Sequence, residues 1–125
     1  MIEKVIVNRE ALKVFLNFCK CFHPRENIML IRGKIKNKIA EVKEFLIPPF
    51  SNYGEGFSSL PLFTLPLDFS IIGIAHSHPS GDASPSLEDL NNFYGKIMII
   101  TSYPYNDISV YDSKAKKIPF EIIKL

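Results

Sequence analysis

Apolar residues recur along the chain with two different periods, and the switches between them divide it into elements. Residues 3 to 7 alternate weakly between polar and apolar positions, the period of a short strand. From Arg9 to Phe22 the spacing changes. Leu12, Phe15, Leu16 and Cys19 fall three and four apart, which places them on one face of a helix, and Asn8 precedes them as a cap. His23-Pro24 ends that helix, because proline disfavours helical geometry in the residue before it and brings no amide of its own. Two apolar runs, Asn27 to Arg32 and Ile39 to Ile47, enclose Gly33 and a Lys/Asn tip and read as a hairpin or meander.

Pro48-Pro49 opens a stretch to about Pro66 in which turn residues alternate with the aromatics Phe50, Tyr53, Phe57 and Phe63, a structured loop with some extended chain. Ser70 to Ala75 is a dense apolar strand that runs into His76-Ser77-His78-Pro79. After it the pattern predicts a loop over Ser80 to Pro85 and a second helix over Ser86 to Tyr94. Strands follow over Lys96 to Ser102, Ile108 to Asp112 and Ile118 to Lys124. This order predicts an α/β domain with a mixed sheet packed between helices, and 125 residues suffice for one hydrophobic core, so residues 1–125 are read as a single domain.

Composition changes this picture little. Hydrophobic residues make up 46% and charged residues 22%, the balance of a folded domain rather than a disordered segment. The net charge of +2 is spread along the chain except at Lys34, Lys36, Lys38 and at Lys114, Lys116, Lys117. These read as solvation and protection of sheet edges, and no nucleic-acid partner is expected. No apolar run reaches the length of a membrane span and the start lacks a signal-peptide core, so no membrane association and a cytoplasmic location are expected. Cys19 and Cys21 stand too close in sequence to bridge each other and are expected as reduced thiols.

The candidate chemistry lies at the end of the central strand. His76 and His78 are two apart, so both imidazoles leave the same strand face and can reach one ion. Asp89, in the first turn of the second predicted helix, can return its carboxylate over the strand end. Two His and one carboxylate leave a fourth tetrahedral position of zinc for water, as in catalytic sites. A competing use exists for the same residues. Ser86-Leu87-Glu88-Asp89 matches a capping box, in which Asp89 would serve the cap rather than a metal.

His76, His78, Pro79, Ser86 and Asp89 together resemble the JAMM signature of MPN+ domains, zinc metalloproteases that include deubiquitinases and small archaeal isopeptidases of the desampylase kind. At about 5% per position, five specified residues recur by chance in a chain this long on the order of once in 10⁴ to 10⁵. The context of Glu26, in His23-Pro24-Arg25-Glu26 before an apolar run and Gly33, also resembles that family, as does Ser102-Tyr103-Pro104. From the residues alone Glu26 is not distinguished from Glu41, Glu44 or Glu55. The resemblance implies a single MPN/JAMM domain of cytidine-deaminase-like fold, with a mixed curved sheet. It also implies one Zn2+ per chain held by His76, His78 and Asp89, with Glu26 as the general base acting on a zinc-activated water and Ser86 as the donor to the oxyanion.

The activity so implied is hydrolysis of isopeptide bonds, and of linear peptide bonds also, that join ubiquitin-like modifiers to lysine. The modifier's C-terminal tail would lie in an edge groove walled by Phe50, Tyr53 and Phe57. The resemblance implies an archaeal protein; abundant Ile and Lys, with no Gln or Trp, agree with a thermophilic prokaryote, against which eight Asn count. Two rivals remain: a non-catalytic MPN scaffold that only binds partners, and a RadC-like JAMM relative linked to DNA repair, to which Ser80-Gly81-Asp82 is similar. The full ligand set argues against the first and Ser77 between the histidines against the second. An amidohydrolase barrel would need about 250 residues. Oligomeric state is not legible in the sequence.

Overall fold

The computed structural model describes residues 1–47, 70–86, 89–90 and 93–124 in full and the backbone of 52–54 and 57–59. Strand β1 (Lys4–Asn8) buries Val5 and Val7 and leads directly into helix α1 (Arg9–Phe22). Asn8 caps that helix as its spacing predicts, its Oδ1 accepting from the Ala11 amide at 3.0 Å. Leu12, Phe15 and Cys19 form the buried stripe, and Leu16 borders it half-buried. His23 leaves helical geometry at φ −55° and ψ 135°, as a residue before proline should.

The hairpin consists of β2 (Ile28–Lys36) and β3 (Ile39–Leu46), longer than the apolar run alone suggests because β2 continues past Gly33. Its register slips at Arg32/Gly33 against β3, and a Cβ on Gly33 would stand 1.9 Å from the Glu41 carbonyl oxygen. Only glycine allows that approach. Lys34, Lys36 and Lys38 surround the hairpin end and are exposed, in keeping with solvation. The strands β4 (Asn52–Gly54) and β5 (Phe57–Ser59) form a separate antiparallel ribbon.

Strands β6 (Ile71–His78), β7 (Ile97–Ser102), β8 (Ser109–Asp112) and β9 (Phe120–Ile123) complete a seven-stranded mixed sheet in the order β8-β7-β6-β2-β3-β1-β9. Both faces of its centre are covered. Against one face, α1 packs with Phe15 stacked on Phe45 at 4.6 Å, within a core that includes Val7, Met29, Ile31, Val42 and Ile99. Against the other, Ala83, Phe93 and Tyr94 cover Met98, Ile100, Ile74 and Leu30. The double burial explains why β6 and β7 read as continuous apolar runs rather than alternating ones.

The second helix is shorter than its sequence pattern. Asp89 and Leu90 are helical, with the Leu90 amide on the Ser86 carbonyl at 3.1 Å, but Phe93 and Tyr94 are not. Their rings are drawn onto the sheet instead, so packing overrides a continuing helix. Strands β6 and β7 are parallel neighbours, which obliges the chain between them to cross over a sheet face. That crossing returns residues 82–86 and 89–90 past the carboxyl ends of both strands.

Candidate metal centre

In β6 the burial alternates in purpose. His76 and His78 leave one face at the strand's carboxyl end, and Ser77 between them enters the other. His76, Ser77 and Asp89 are all buried. The crossover brings the Asp89 carboxylate to both rings: Oδ2 lies 2.9 Å from His78 Nε2 and Oδ1 3.4 Å from His76 Nδ1. Among the described residues no three His, Cys, Asp or Glu side chains surround a ready-made ion position.

Capping and site are not alternatives. The Ser86 amide donates to Asp89 Oδ2 at 2.9 Å and the Asp89 amide donates to Ser86 Oγ at 3.1 Å, the reciprocal pair of a capping box. The same Oδ2 meets His78, so capping the helix does not draw Asp89 away from the histidines. A carboxylate oxygen has lone pairs for both.

Burial and charge set the ionisation of all three groups. Burial pushes His76 down to about 4; the negative charge of Asp89 opposes this and the charge of His78 adds to it. Burial acts the same way on His78, yet the hydrogen bond to Asp89, the Asp82 carbonyl and the charges of Asp89 and Glu26 outweigh it and raise its pKa. For Asp89 burial again opposes the charged form. Its bond to His78, the positive field of His76, the Ser86 amide and the charge of His78 prevail and hold the carboxyl at about 2. His78 Nδ1 bonds the Asp82 carbonyl at 2.9 Å, and a carbonyl only accepts, so Nδ1 carries a proton. A carboxylate facing Nε2 then calls for positive charge at that edge as well.

The half-buried Glu26 precedes β2 and lines a cavity of about 310 Å³ together with His78, Pro79, Asp82, Pro85 and Ser86. Its rivals lie elsewhere. Glu44 pairs with Arg32 at 2.7 Å, Glu41 faces Lys34 across the hairpin, and Glu55 is outside the described residues. Phe50 is also outside them. Tyr53 and Phe57 sit in the β4–β5 ribbon, but their side chains are outside the described residues too. Two supports were not legible in sequence: the Asp82 carbonyl that orients His78, and Asn27. The Asn27 amide donates to Ser77 Oγ at 2.8 Å and its carbonyl accepts from the Ser77 amide at 3.0 Å. Nothing in the spacing signals either. Cys19 and Cys21 are free thiols, the first buried and the second exposed.

Comparison with known proteins gives the family of the chain. Residues 8–113 match the family described as prokaryotic homologs of the JAB domain. A Haloferax volcanii protein described as a probable metalloprotease is 28% identical over 97% of this chain and 81% of its own. A JAB1/MPN domain protein from Archaeoglobus fulgidus is 32% identical with a TM-score of 0.69, over 94% of this chain and 98% of that one. A structure described as JAMM, a metalloprotease-like zinc site in the proteasome and signalosome, is 29% identical with a TM-score of 0.68, over 99% and 100%. The fold alone is shared with a protein from Desulfitobacterium hafniense, at 13% identity and a TM-score of 0.72, over 97% and 94%. With the match to its family model covering most of its length, the chain belongs to the prokaryotic homologs of the JAB domain, within the metalloprotease-like JAMM/MPN family.

Proposed function

We propose that this protein is a zinc-dependent metallo-isopeptidase that hydrolyses the bond between the C-terminal carboxyl of a ubiquitin-like modifier and a lysine amine. The observation that carries the reading is the Asp89 carboxylate meeting both histidines at the end of β6, beside a cavity edged by Glu26 and Ser86. The residues suit a zinc ion. The two oxygens of Asp89 face Nδ1 of His76 and Nε2 of His78, so a single cation between them would meet donors of all three side chains. The His78–Asp89 edge demands a positive charge, and the Asp82 carbonyl holds the far nitrogen of His78 as such carbonyls do for metal-binding rings.

His76, His78 and Asp89 would hold the ion and leave one position open. When bound, zinc supplies Lewis-acid activation of water and polarises the scissile carbonyl. Glu26 takes the proton of the attacking water and delivers it to the leaving amine. Ser86 Oγ already accepts from the Asp89 amide, and that bond does not use the hydroxyl proton, which is donated to the oxyanion. For the modifier's extended tail, the β4–β5 ribbon near Tyr53 and Phe57 supports recognition by strand addition.

The test has two readouts. Purified protein should hold about one zinc per chain, kept in Glu26→Ala and lost in His76→Ala. Wild type should release a ubiquitin-like modifier conjugated through lysine, with Glu26→Ala slower by about 10²-fold or more. Metal-free wild type overturns the enzyme reading. Retained zinc with undiminished cleavage in Glu26→Ala removes Glu26 from the mechanism.

A further inference from the structure

Beside the candidate metal centre, two turns bring three aromatic rings together. His23 stacks on Tyr103 with centroids 4.5 Å apart and planes 28° from parallel. Its Nδ1 is hydrogen-bonded with the Tyr105 hydroxyl at 2.6 Å. Tyr105 is buried and stands edge-on to both of the other rings, at 5.5 and 5.9 Å. Tyr103 is nonetheless 53% exposed. A ring gripped from behind and open in front is an aromatic surface already ordered for contact, with little side-chain entropy left to lose.

Its position ties it to the site from two sides. The Tyr103 amide donates to the His78 carbonyl at 3.0 Å, and Ser102 is in register with His78. His23 begins the turn that delivers Glu26 three residues later, and the charge of Glu26 is felt at the Tyr105 hydroxyl, whose pKa is raised chiefly by burial. Tyr103, Ser102, Pro104 and Asn106 line a groove of about 280 Å³ that also includes Ala83. Asp82 and Ser84, on either side of Ala83, line the cavity of Glu26 and His78. Groove and cavity therefore meet across the 82–84 turn.

We infer that the face of Tyr103, held by His23 and Tyr105, is the wall on which the leaving lysine side chain lies, and that it makes the enzyme prefer lysine isopeptides to linear peptides. This rests on the function proposed above and deepens it. Hydrolysis adds the water oxygen to the carbonyl carbon, breaks the C–N bond and sends the proton held by Glu26 to the departing nitrogen, so that nitrogen must come to Glu26. The ring cluster adjoins Glu26, since His23 opens the turn that carries it and its charge reaches the buried Tyr105. In an isopeptide the atoms behind the nitrogen are four unbranched, uncharged methylenes, which can lie flat against a ring. In a linear peptide the next carbon carries both a side chain and a polar carbonyl, and the ring face offers that carbonyl no hydrogen bond.

The experiment uses zinc-loaded enzyme and two probes: ubiquitin joined through its C-terminal carboxyl to the lysine Nε of a short peptide, or to the Nα of the same peptide. Wild type should favour the Nε probe in kcat/KM by at least tenfold. Tyr103→Ala should raise KM for that probe roughly tenfold with kcat within about twofold, leave the Nα probe unchanged, and keep its zinc. Tyr103→Phe should behave as wild type. If Tyr103→Ala loses zinc or its native circular dichroism, the same comparison is made with Tyr103→Leu. An unchanged KM for the Nε probe, or equal losses on both probes, overturns the wall while leaving the hydrolase intact. Wild type that cleaves neither probe overturns the isopeptidase reading and this inference with it.

Discussion

Ser77 links the two halves of the site through its backbone and its hydroxyl. Its reciprocal bonds with Asn27 fix the strand that carries His76 and His78 to the residue next to Glu26, on the sheet face opposite the histidines. Ser77→Ala leaves the buried Asn27 amide without its side-chain acceptor, and urea denaturation should show a loss of about 1–3 kcal/mol. Unaltered stability would mean that the bond carries no net weight. Cys19 lies on the same face, where burial pushes its thiol up to about 12 despite a hydrogen bond with Ser77. In native protein a thiol reagent at pH 8 should therefore modify Cys21 and spare Cys19, with both reacting in denaturant. The sign for stability follows from the raised value. The folded state holds the proton more tightly than the unfolded chain, whose thiol titrates near 9.0, so this contribution is complete below pH 9 and is lost between about 9 and 12. Wild type should lose up to about 1.4 kcal/mol per pH unit more than Cys19→Ala across that interval. Parallel stability curves would refute it.

At the scale of elements, backbone approach matters more than side-chain chemistry. Gly33 sits where β2 slips against β3, and no atom can replace its hydrogen beside the Glu41 carbonyl. Gly33→Ala should cost roughly 3 kcal/mol or prevent folding, since overpacking forces the backbone apart. Gly81, in the loop after His78, has nothing within 4 Å of the position a methyl group would take, and Gly81→Ala should stay within about 0.5 kcal/mol of wild type. Equal effects in thermal melts would contradict the distinction. Elements of this kind were legible in unequal measure. Helix α1 could be read to its last residue because an Asn cap, a three-and-four apolar spacing and a following proline all agree. The second helix could not, because Phe93 and Tyr94 have helical spacing but are claimed by the sheet face they cover. Likewise, the spacing of His76 and His78 shows that their side chains share a face, whereas the reach of Asp89 depends on a parallel crossover that spacing does not determine. Glu26 lies fifty-two residues from His78 and enters the same cavity through the pairing of β2 with β6.

For the whole molecule, the candidate site sits where three separate segments converge: the turn before β2, the end of β6 and the crossover after it. An ion held by His76, His78 and Asp89 would therefore fasten the crossover to the central sheet, and its binding energy would count as folding energy. Unfolded chain offers no such grouping, so stabilisation should follow RT ln(1 + [Zn]/Kd), about 2.7 kcal/mol at a hundred times Kd. In a domain of this size that corresponds to a rise in Tm of roughly 10 °C, reversed by a chelator. His76→Ala and Asp89→Ala should lose the zinc-dependent rise, whereas Glu26→Gln should keep it, because its proposed duty is proton transfer and not coordination. Calorimetry across a zinc series in wild type and these three variants separates the two roles without measuring any reaction. A Tm indifferent to zinc in wild type would count against His76, His78 and Asp89 as ligands. A rise lost in Glu26→Gln as well would move Glu26 from proton transfer into the coordination of the metal.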